Sequence, residues 1–203
     1  MKEVSINKQA KLSEHFTLGE LTKTSYHPLD GNIPSHVAIE NLRNLCENWL
    51  EDLRYSYNTL YGGGTQGGTQ GTGTLCSAGS AQMFQSPCAA QMFQSPCAVS
   101  PCAAEESEEI PVVITSGYRS EEVNRLCGGA KGSNHLTGCA VDIRCAGPEQ
   151  LIRYSSILLD MADGTRREFD ELIHEKRGST YWLHFAVRPP SQQNRRKILF
   201  DMH

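Results

Sequence analysis

From position 37 the apolar residues fall at Ile39, Leu42, Leu45, Cys46, Trp49, Leu50 and Leu53. Steps of three and four place them on one face of a 3.6-residue helix, so this stretch reads as an amphipathic core helix introduced by Pro34 and Ser35. Residues 148–162 repeat the pattern with Leu151, Ile152, Tyr154, Ile157, Leu158 and Met161. Pro148 suits a first helical turn, and Gly164 is the expected stop. Nearer the start, Thr17 and Glu20 have the spacing of a capping box behind the apolar Phe16, which predicts a short helix there. Ser120 is placed to cap another helix reaching about Cys127, broken by Gly128, Gly129 and Gly132.

Strand signals come later. Residues 111–115 form a short β-branched run, and residues 139–144 alternate in polarity. Residues 171–175 and 181–187 are two further short strands, separated by Gly178, Ser179 and Thr180, which suggests a hairpin. Helices first and strands late predict an α+β domain with a small antiparallel sheet packed against helices.

One stretch fits neither pattern. Residues 55–104 contain no Asp, Glu, Lys or Arg, and residues 62–74 are built from Gly, Thr and Gln alone. With no large apolar side chain to offset the entropy of ordering, that segment is expected to be flexible. A direct nine-residue repeat follows at 81–89 and 90–98, too short and too few in copies for a solenoid. Residues 62–110 therefore read as an insert, closed by acidic residues at 105–109, within a single domain spanning 1–203.

Composition then excludes some classes. The 203 residues carry 19 Lys+Arg against 23 Asp+Glu, a net charge of -4. No basic face is concentrated enough for a nucleic-acid partner, and no window is apolar enough to insert in a membrane. Residues 1–15 lack the apolar core of a secretory signal, so synthesis in the cytoplasm is expected. Four of the eight cysteines lie in the insert, none shows C-x-x-C spacing, and neither a structural zinc site nor a disulfide framework is expected.

The residues with chemistry to offer crowd into 133–142. His135 sits on a glycine-punctuated loop and Asp142 on the strand that follows, sharing a face with the small Ala140. His184, flanked by Leu183 and Phe185, shares a strand face with Trp182 and suits a third ligand. Two imidazoles and a carboxylate with an open fourth position describe a catalytic rather than a structural zinc site. By spacing alone, the same residues also suit a hydrogen-bonded core.

Ser133-x-His135-x-x-Gly138-x-Ala140-x-Asp142 resembles the S-x-H-x-x-G-x-A-x-D signature of the zinc D-alanyl-D-alanine carboxypeptidases, a family that includes phage L-alanyl-D-glutamate endolysins. Residues 16–21, 116–120, 169–173, 182–184 and 194–196 resemble its phage and prophage branch, so the likeness covers essentially all but 55–110. The resemblance implies a Hedgehog-like or D-Ala-D-Ala-peptidase-like fold, with Zn2+ held by His135, Asp142 and His184. It further implies a monomeric peptidase acting on peptidoglycan stem peptides, in wall lysis through a phage pore or in wall remodelling. Arg119 would bind a substrate carboxylate or the oxyanion, while Ser133 and Trp182 would contact substrate or serve loop and core. Several relatives carry a Glu three residues before the last His, where this chain has Tyr181. Glu175 is the substitute candidate for the base, provided it pairs across from Trp182; pairing with Tyr181 would present His174 instead. The competing expectations are an inactive zinc-binding wall-recognition module and a phage structural component.

Overall fold

The computed structural model of the protein describes residues 7–62 and 109–202. Apart from its edges, the expected insert, with its repeat and cysteines, lies outside the described residues.

Helix α1 (Leu18–Leu21) opens on the expected capping box: the Thr17 hydroxyl accepts from the Glu20 N–H, and the Glu20 carboxylate accepts from the Thr17 N–H at 2.9 Å. Ser35 caps α2 (His36–Leu45), which continues through a π turn at Cys46–Leu50 into α3 (Glu51–Tyr61). Of the predicted stripe, only Ile39 remains half-buried; Leu42 through Leu53 are in the core, and Tyr57 extends it. Each such side chain withdrawn from water stabilises the fold by about 1.5–3 kcal/mol. Ser120 caps α4 (Glu121–Leu126). Helix α5 (Pro148–Thr165) runs past Gly164, because Arg166 rather than the glycine takes the left-handed conformation that ends it, at φ 56.

Five strands make one sheet in the order β1-β2-β4-β3-β5: β1 (Ile114–Ser116), β2 (Ala140–Cys145), β3 (Glu171–Arg177), β4 (Thr180–Ala186) and β5 (Lys197–Met202). The fold is α+β, as expected, but the sheet is mixed, since β5 runs parallel to β3. That strand escaped prediction because it lies exposed on the sheet edge and shows no inward–outward alternation. Its direction is set where it begins: the Arg196 and Lys197 N–H groups donate to the Phe169 and Asp170 carbonyls, docking the start of β5 beside the start of β3. β1 is shorter and later than the expected 111–115.

Alternation across the strands divides the sheet into two faces. Val141, Ile143, Leu172, Leu183 and Phe185 turn into the core, where Phe185 meets Trp49 at 5.0 Å and Phe169 at 5.9 Å between ring centroids. The opposite face carries Asp142, His184, Trp182 and the odd-numbered residues of β3. Cys46, Cys127, Cys139 and Cys145 are free thiols. Among the described residues, no helix is long and apolar enough to cross a membrane.

Candidate metal centre

The loop before β2 aims the first imidazole. Ser133 caps a single 3₁₀ turn, Asn134–Thr137, by accepting from the His135 N–H, and Gly138 leaves the turn at φ 70. A Cβ on Gly138 would lie 2.4 Å from the Ala38 carbonyl oxygen, so only glycine lets the loop seat against α2. The following residues place Asp142 on β2, directly across from His184 on β4.

These side chains converge. His135 Nε2 and His184 Nδ1 approach the same carboxylate oxygen, Asp142 Oδ1, at 3.2 Å and 2.9 Å. One donor atom from each of the three residues lies within 4.8 Å of the others, and all three residues are buried. Arg119 holds the second oxygen of Asp142 and donates through Nε to the Ser116 hydroxyl at 2.8 Å. On the far side of His135, Nδ1 lies 2.5 Å from the Gly117 carbonyl. A carbonyl only accepts, so Nδ1 carries the proton and Nε2 turns a lone pair toward Asp142.

That donor set fits a divalent cation. The His135 lone pair and the Asp142 carboxylate that it faces repel unless a proton or a positive ion stands between them. Ligands about 2.0–2.1 Å from a tetrahedral zinc lie about 3.3 Å apart, close to the observed spacings. Electrostatics agree with the crowding. Burial pushes the His135 pKa down against the pull of Asp142. Burial acts the same way on His184, but the hydrogen bond to Asp142 and the nearby Glu171 carboxylate outweigh it and lift the value to about 9. Asp142 is held far below the carboxylate range, since its imidazole neighbours more than cancel the opposing effect of burial.

The centre opens on a cavity of about 350 Å³, within the usual size for a small-molecule or peptide-end site. Glu175 lines it and pairs across from Trp182, the register that turns Glu175 rather than His174 toward the centre. Burial first, and Asp142 second, raise the Glu175 pKa. Arg119, Ser133 and Trp182 line the same cavity. His174 faces the opposite way, with Nε2 2.9 Å from the Ser155 hydroxyl and its ring stacked on Phe200. Away from the centre, His15, His27 and His36 are exposed, with His15 Nδ1 2.7 Å from Glu51.

Asp170, Glu171, Asn134 and Arg195, given no individual role by the sequence, also meet at the centre. Asp170 is fully buried and accepts from Arg195 at 2.8 Å and from the Asn134 amide at 2.8 Å. Glu171 lies 3.7 Å from His184 Nε2 and accepts from Asn134 at 3.0 Å. A signal for Glu171 was present: it shares strand parity with Glu175, so both face the centre. Arg195 and Lys197 are paired to these acids.

A small α+β domain carrying a buried His–Asp–His donor set beside an open cleft is an arrangement suited to metal-assisted chemistry. The sequence model of a protein family described as Peptidase M15 matches residues 80–175, a little under half of the chain. The matched span includes His135, Asp142 and Glu175 and ends before His184. It supports a hydrolase of the metallopeptidase class, and hence a peptide substrate. A comparison with curated proteins found no match.

Proposed function

We propose that the protein is a zinc metallopeptidase that hydrolyses peptidoglycan stem peptides, as a D,D-carboxypeptidase or an L-alanyl-D-glutamate endopeptidase, in wall lysis or remodelling. The observation that carries this reading is the meeting of three metal-type donors on the floor of a cleft that also holds a carboxylate of raised pKa. His135, Asp142 and His184 are the residues to hold Zn2+, which would supply Lewis acidity at neutral pH. Glu175 serves as general base, taking a proton from the attacking water and passing it to the leaving amine. Burial suits it to this role, because a carboxylate whose pKa is raised toward the operating pH is a stronger base for the water proton and holds that proton until the leaving amine takes it. Arg119 fixes the Asp142 carboxylate and lines the cleft, from which its remaining N–H groups would meet a substrate carboxylate or the developing oxyanion. Trp182 walls the cleft. Ser133 shapes the loop through its cap and stands at the cavity lining. The peptidoglycan assignment draws on the S-x-H-x-x-G-x-A-x-D resemblance.

The test is digestion of purified wall fragments followed by mass spectrometry of the products. Cleavage of one stem-peptide amide, abolished by a chelator and restored by zinc, is the expected result. Intact muropeptides after incubation with zinc-loaded protein would overturn the substrate, and binding without cleavage would favour a recognition module.

A further inference from the structure

Glu171 touches two parts of the centre from one carboxylate. Its Oε2 accepts from the Asn134 amide at 3.0 Å and faces His184 Nε2 at 3.7 Å, while Oε1 lies 2.8 Å from Arg195 and 3.7 Å from Lys197. Asn134 is the residue immediately before His135 on the loop. The other nitrogen of His184, Nδ1, is the one turned to Asp142. A single acid, clamped by two cations on its outer oxygen, thus joins the loop bearing one imidazole to the ring of the other.

We propose that Glu171 is a positioning residue of the metal centre: its negative charge, 3.7 Å from His184 Nε2, favours the tautomer with the proton on that nitrogen and leaves Nδ1 as the ligand nitrogen, and its bond to Asn134 ties the His135 loop to β3. His135 is fixed in the complementary sense by the Gly117 carbonyl at its Nδ1, so the two imidazoles present opposite nitrogens to Asp142. Acidic or carbonyl partners behind a ligating imidazole set its tautomer and basicity, and losing one typically costs 10–100-fold in metal affinity. Asp170, one residue earlier, shares the Asn134 amide at 2.8 Å but is wholly buried and anchors Arg188 and Arg195.

The inference rests on the proposed zinc centre but not on peptidase activity. Zinc affinity is measured by competition with a chromophoric chelator for wild type, Glu171→Ala and Glu171→Gln. Glu171→Ala is expected to bind zinc about 10–100-fold more weakly, with Glu171→Gln recovering part of the loss because its amide oxygen still turns the negative end of a dipole toward Nε2–H. Wild-type affinity in Glu171→Ala would overturn the proposal. Should that variant fail to fold, nitrogen NMR of the zinc-loaded wild type decides: a proton on His184 Nε2 is expected, and a proton on Nδ1 would overturn it. Wild-type protein that binds zinc yet cleaves no peptide would instead sink the peptidase reading and leave this one standing.

Discussion

Glu175 is held in surroundings that favour its neutral form, by burial first and by the nearby Asp142 charge second. A carboxyl whose pKa is raised on folding stabilises the protein fully below its unfolded value, and that contribution fades as pH rises through the folded value. Above that point the ionised side chain is a burden on the fold and the working form of the base. Glu175→Gln is therefore expected to melt no lower than wild type at neutral pH while losing about 10²–10⁴-fold in kcat. The wild-type kcat/KM profile should rise with pH along an acid limb displaced above the ordinary glutamate value of 4.5. Thermal melts and pH–rate profiles with a cleaved muropeptide check both, and full turnover by Glu175→Gln would remove Glu175 from the mechanism.

Strand β3 organises more than its predicted share. Asp170, just before it, is buried, yet Arg195, Asn134 and Arg188 outweigh that burial and hold its pKa low. A carboxylate with a depressed pKa contributes stability above its unfolded value and loses it as pH falls through the folded one, so the contribution of Asp170 fades below about 3.8. Asp170→Asn is expected to cost roughly 1.5–3 kcal/mol near neutrality and to flatten the acid limb of the stability curve, as read by denaturant unfolding at several pH values. An unchanged midpoint would deny the clamp its energetic role. The elements that were legible in the sequence are those whose apolar spacing repeats: the 37–53 stripe, the 148–162 helix, and the three strands whose parity put Asp142, Glu175 and His184 on one face. What escaped were features set by tertiary contacts. β5 is an exposed edge strand placed by backbone bonds to Phe169 and Asp170, and α5 outruns Gly164 because Arg166 adopts the left-handed turn. Strand parity put Glu171 on the site face, but its role depends on which nitrogen of His184 it faces, and that is set by tertiary packing.

The chain leaves α3 at Gly62 and is next described at Glu109, with both departure and return fastened to the same helix. Asn58 accepts from the Ile110 N–H at 2.7 Å and donates to the Ile110 carbonyl at 3.0 Å, while Arg54 pairs with Glu109 at 2.6 Å. A short linker would therefore reach from Gly62 to Glu109, and closing a shorter loop costs slightly less entropy. Replacing residues 63–108 by a short Gly/Ser linker is expected to leave melting temperature and zinc affinity close to those of the full chain; a protein that unfolds or loses its metal would show that those residues belong to the domain. The most direct measurement is metal content. Purified wild type dialysed against trace zinc and analysed by elemental mass spectrometry is expected to hold one zinc per chain, while folded His135→Ala and His184→Ala hold almost none. Full zinc occupancy in either variant would contradict a centre built from His135, Asp142 and His184.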